Sequence, residues 1–168
     1  PSSVYMAYGW GSIIRYKVDY AKRTWKVDSV FDTGTPMWKV GDPSFHLFVR
    51  RREGKLLLLN NTTPAVFELD EKNGKLKPMS VLSFPMGGGP QPPPETIQKQ
   101  MKPDGAHHVY SWTDTNGNYL PEDDEFTFPG GLFRAGGMYV DNDFNYYLPL
   151  ARVFRQSAKE NIGYVRIA

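Results

Sequence analysis

The feature that most constrains this chain is an internal repeat. Residues Val4 to Phe31 lie on Lys55 to Leu82 without a gap, at a shift of 51 residues. Tyr16-Lys17-Val18-Asp19 falls on Phe67-Glu68-Leu69-Asp70, the polar turns 20–23 and 71–74 coincide, and Trp25 to Phe31 falls on Leu76 to Leu82. Identity is confined to Asp19/Asp70, Lys26/Lys77, Ser29/Ser80 and Val30/Val81, but apolar and polar classes keep step between the copies. Alternation with period two belongs to half-buried strands, and a polar turn between two such runs makes a hairpin.

Each copy therefore reads as an apolar strand (4–8 and 56–59), a tight connection, an alternating strand ending in Asp, a polar turn and a second alternating strand. A further strand at 46–51 joins the second copy through Arg52-Glu53-Gly54, which makes four antiparallel strands in one unit. Looser strand signals follow at Ala106 to Trp112, Gly137 to Val140, Tyr146 to Leu148 and Arg152 to Ala168. Sixteen Gly, 14 Pro and an aromatic content of 14% supply the turns and strand formers this needs. The expected fold is all-β: about three four-stranded antiparallel blades over 1–42, 43–85 and 105–168, with a Pro/Gly-rich insertion at 86–104. The same strands also suit an open barrel or a β-sandwich. In the insertion, Met86 to Pro94 reads as neither strand nor helix, and Glu95 to Met101 as one or two helical turns after the prolines.

Four-stranded units at this spacing are the mark of β-propeller blades. Phe67-Glu68-Leu69-Asp70 and Gly74-Lys75-Leu76 resemble the aromatic-X-aliphatic-Asp strand and G-K-L outer turn of NHL-type and gluconolactonase-like propellers. That resemblance implies a scaffold in a larger extracytoplasmic assembly, periplasmic or secreted. It also leaves open a metal-dependent hydrolase or lactonase, or a segment of a multi-subunit redox enzyme. A repeat of 51 residues fits a little over three times into 168, whereas propellers close with four to eight blades. Other blades, subunits or a second copy are therefore expected to complete the ring, because a terminal blade left alone exposes its apolar face.

Charge and cysteine content narrow the partners. Twenty basic and 18 acidic side chains are mixed along the chain, which gives no concentrated basic face for nucleic acid. Arg50-Arg51-Arg52, followed at once by Glu53-Gly54, reads as a hairpin tip. The absence of Cys excludes disulfides and thiolate metal sites, and no apolar run is long enough for a membrane helix. The opening Pro1-Ser2-Ser3, without Met or a signal pattern, reads as an internal stretch or processed product.

The sharpest local motif runs from Trp112 to Glu125. Asp114, Asn116 and Asn118 place oxygens at loop positions 1, 3 and 5, the carbonyl of Leu120 falls at 7, and Glu125 at 12 completes an EF-hand-like calcium set. Tyr119 stands where that pattern wants Gly, and Asp-Thr-Asn-Gly-Asn is equally good turn chemistry, so calcium loop and structural turn both fit. The loop also resembles the tryptophan-led Asp-X-Asn-Gly-Asp-Gly insertions of bacterial propellers. His107, His108 and Trp112 are the candidate ligand-binding residues, although adjacent His side chains on a strand point to opposite faces. No Gly-X-Ser-X-Gly elbow or phosphate loop is present, and no catalytic set is assigned. The expected function is a binding and interaction scaffold stabilised by calcium.

Overall fold

A computed structural model describes residues 2–8, 11–34, 38–39, 47–60, 65–83, 89–90, 92–101, 109–128, 139–140, 146–149 and 164–167. The protein is all-β, with one short helix and a nearly closed, barrel-like main sheet.

The first repeat copy forms β1 (Ser2–Tyr8), β2 (Ser12–Asp19) and β3 (Thr24–Asp32), followed by the two-residue strand β4 (Trp38–Lys39). The second forms β5 (Leu47–Arg52), β6 (Lys55–Asn60), β7 (Ala65–Asp70) and β8 (Lys75–Ser83). The neighbour order is β1-β2-β3-β8-β7-β6-β5, and β1 returns beside β5, so the two meanders curl toward each other as an open barrel. Their junction is narrow: Asp32 pairs with Lys75 in parallel, and the Asp32 amide reaches the Gly74 carbonyl at 3.4 Å.

The second hairpins of the two copies share their register. Tyr16 faces Val27 and Arg15 faces Ser29, while Phe67 faces Pro78 and Val66 faces Ser80. Both ladders therefore carry a bulge at the same repeat position, between Arg15 and Tyr16 and between Val66 and Phe67. The Asp shared by the two copies explains the turns. Asp19 accepts the Lys22 amide, and Asp70 accepts the amides of Lys72 and Asn73 together with the Asn73 side chain. The last turn residue takes positive φ in both copies, +52° at Arg23 and +64° at Gly74.

The gapless alignment fails at the first strand. Val4 stands opposite Tyr16, whereas Leu58, the repeat equivalent of Ala7, stands opposite Phe67. An odd slide of three residues reverses which side chains of β1 share a face with β2. The connections differ in length, three residues at 9–11 against four at 61–64, and loop length sets hairpin register.

The remaining elements are β9 (Gly89–Pro90), α1 (Glu95–Gln100), β10 (Tyr110–Thr113), β11 (Phe126–Thr127) and a three-stranded sheet of β12 (Tyr139–Val140), β13 (Tyr146–Pro149) and β14 (Tyr164–Ile167). Two expectations change here. Gly89 and Pro90 form a short antiparallel ladder with β4, although that stretch reads as neither strand nor helix. Gly89 suits the place, with φ +113° and the Tyr110 hydroxyl 3.1 Å from where a Cβ would sit. The strand after the insertion also does not open a separate unit: β10 extends the main sheet by pairing with Ser80–Ser83 of β8. The helix falls where the prolines predict it.

Ile13, Phe31, Trp38, Leu58, Phe67, Leu69, Leu76, Ile97, Tyr110 and Trp112 are buried in one cluster that draws on both copies, α1 and β10. A smaller cluster of Leu57 and Leu59 lies on the other side of the second meander. Among the described residues no helix is long and apolar enough to cross a membrane.

Candidate functional site

The Trp112–Glu125 loop is held by its own hydrogen bonds. Asp114 Oδ1 accepts the Gly117 amide at 2.9 Å, Asn116 Oδ1 the Asn118 amide at 2.9 Å and Asn118 Oδ1 the Leu120 amide at 2.7 Å. These are successive Asx turns. Tyr119 has φ +63°, the left-handed conformation the pattern requires at that position, and its ring lies 5.1 Å from Lys77 Nζ. Leu120 is exposed.

Glu125 faces inward. It is 4% exposed, and its carboxylate accepts the Trp112 indole N–H at 2.9 Å, the Thr115 amide at 2.8 Å, the Thr115 hydroxyl at 3.2 Å and the Glu122 amide at 3.3 Å. A carboxylate that accepts four donors is committed to fastening the loop to β10, and in this arrangement it does not close a coordination shell around the Asx side chains. Among the described residues no group of three or more His, Asp or Glu side chains is disposed to hold a metal ion. Trp112, a candidate ligand-binding ring, is fully buried with its ring centroid 4.7 Å from that of Trp38. His107 and His108 lie outside the described residues.

The more unusual surface is on the first meander. Along β2, Arg15 and Lys17 alternate with Ile14, Tyr16 and Val18, and the ladder places Val4, Met6, Val27 and Val30 on the second of these faces, with Trp25. The charged face is the one that carries the buried Ile13 and Phe31, and on it Arg15 and Asp28 are mostly covered while Lys17 is half exposed. Asp28 pairs with Lys17 and Arg15, Arg15 also reaches Glu71 at 2.6 Å, and Glu71 pairs with Arg51 at 3.0 Å, which ties β2 and β3 to the ends of the second meander. Lys17 and Arg15 hold the Asp28 carboxyl below its usual range, and Arg51 and Arg15 do the same to Glu71.

The apolar face is left outside. Trp25 is 69% exposed, Met6 54%, Val27 52% and Val30 49%. Val4, Met6, Tyr16, Val18 and Trp25 line an apolar groove of about 300 Å³. Tyr16 and Trp25 meet edge to face with centroids 5.4 Å apart, so the aromatic pair at the groove is pre-arranged. A second recess beside it shares Val18 and Trp25 and is lined by Lys17, Asp19, Lys22, Thr24 and Lys26.

The repeat shows what this face is. Its β2 and β3 residues Ile14, Tyr16, Val18, Trp25, Val27 and Val30 correspond to Ala65, Phe67, Leu69, Leu76, Pro78 and Val81, all of them buried in the second copy. One hairpin has that face covered by the main core and its twin has it open. Sequence reasoning names both sets as strand residues, but alternation alone cannot say which face is covered. No protein-family model, curated protein or solved structure matches the chain.

Proposed function

We propose that the chain is an interaction scaffold whose docking surface is the outer face of β1, β2 and β3. The observation that carries this is the exposure, in one repeat copy, of the face that the other copy buries. Contiguous exposed apolar surface of this extent marks interaction sites on soluble domains, and an aromatic pair within it is a common make-up of an energetic anchor. A propeller segment would turn such a face toward its next blade, and on that ground the resemblance to NHL-type repeats is carried forward as a proposal.

The test is binding of an environment-sensitive apolar dye to the native chain and to Trp25→Ser and Val27→Lys. Both positions are more than half exposed, so the urea midpoints are expected to stay within about 0.5 kcal/mol of the parent while dye binding falls several-fold. Equal dye binding by all three proteins, or none by the parent at a concentration where it is a single chain, would remove the reading.

A further inference from the structure

We infer that the occupant of this face is a second copy of the same chain, related by a two-fold axis across the strands; the inference rests on the docking face proposed above. The outer face is built in rungs. From one end to the other they are Ser12 with Asp32, then Met6, Ile14 and Val30, then Val4, Tyr16 and Val27, then Val18 and Trp25, and beyond these the turn with Lys22 and Arg23. A two-fold axis at the Val4-Tyr16-Val27 rung sets that rung against itself. It sets Tyr16 against its own copy at the axis and places the Trp25 end of each copy over the aliphatic Met6-Ile14-Val30 end of the other, so the indole meets aliphatic side chains.

Charge agrees with this orientation. Lys22 and Arg23 at the tip make no ion pair among the described residues, and the same operation carries them toward Asp32 at the far end of the partner's face, which is half exposed and only loosely paired within its own chain, 3.9 Å from Lys75 Nζ. The apolar rungs themselves carry no charge, because Arg15, Lys17 and Asp28 are drawn to the opposite face by their own ion pairs. A chain of net charge +2 offers little long-range repulsion to self-association.

The area is sufficient. The exposed parts of these rungs present on the order of 600 Å² per chain, and a face-to-face pair would bury about 1,200 Å², the lower bound for a specific interface.

Sedimentation velocity across a concentration series tests the inference, with the native chain, Trp25→Ser and Val27→Lys run in parallel and each checked by far-UV circular dichroism and urea midpoint. The native chain is expected to pass from 19.1 kDa to twice that mass as concentration rises, and both folded variants to stay at one chain. Native material that remains one chain throughout, yet binds the apolar dye in a Trp25-dependent way, overturns the second copy and leaves the docking face for a different partner. A single chain that binds no dye overturns both. A dimer that persists in both folded variants places the contact elsewhere and also overturns the inference.

Discussion

Removing the Glu125 carboxylate leaves the Trp112 indole N–H without its acceptor in a buried position and the Thr115 amide without its acceptor in a part-buried one. An unsatisfied buried donor costs about 1–3 kcal/mol, so Glu125→Ala is expected to cost about 1–3 kcal/mol in urea denaturation. Glu125→Gln keeps one acceptor oxygen and should fall in between. Calcium uptake would require this same carboxylate to release those donors, so adding calcium is expected to leave the thermal midpoint unchanged. A rise of several degrees would show an ion in the loop. The spacing from Asp114 to Glu125 was legible in the sequence, as was the left-handed demand on Tyr119. Whether the Glu125 oxygens turn into the loop or back toward Trp112 was not, because ligand spacing and a self-capped turn use the same residues.

At the scale of the element, the two repeat hairpins act as controls for each other. Arg23 and Gly74 occupy the same turn position with positive φ, but only Gly74 also lies 3.1 Å, measured from a Cβ position, from the Val30 carbonyl of the neighbouring strand. Left-handed backbone disfavours a side chain by about 1–2 kcal/mol. Arg23→Gly is therefore expected to stabilise by about 0.5 kcal/mol and Gly74→Ala to destabilise by about 2 kcal/mol, both read from urea midpoints. The carboxylates that tie the elements together give a pH dependence. Asp28, Glu71 and Asp70 all titrate below their usual values in the folded chain, Asp70 because Lys77 and Asn73 bond it. Their contribution is complete above the unfolded values near 4 and is lost as pH falls through the lowered ones. The urea midpoint should thus decline from about pH 5 toward about pH 2; a flat profile would contradict it. The second hairpins were legible because Asp19 and Asp70 fix equivalent turns and the apolar residues keep step through the shared bulge. The first strand was not, because connections of three and four residues shift β1 by an odd number and nothing in its composition marks the register. The Gly89–Pro90 ladder was equally hidden, since it depends on Trp38 and Lys39 arriving from far along the chain.

For the molecule as a whole, the all-β class follows from alternation and turn chemistry, whereas the way the meanders curl does not. Alternation of Arg15 and Lys17 with Tyr16 and Val18 defines two faces, and hydrophobicity alone assigns the apolar one to the core. In the first copy that assignment is reversed: the face that carries the Asp28 and Glu71 ion pairs is the one that also carries Ile13 and Phe31 into the core. The apolar face of β1, β2 and β3 is consequently the surface on which assembly depends. Hydroxyl-radical footprinting at increasing protein concentration reads it residue by residue. Met6 and Trp25 are expected to label readily in dilute solution, where Trp38 and Trp112 do not, and to become protected together as concentration rises. Uniform labelling of Met6 and Trp25 at every concentration would contradict self-association through this face, and protection already complete where the chain sediments as a monomer would contradict its exposure.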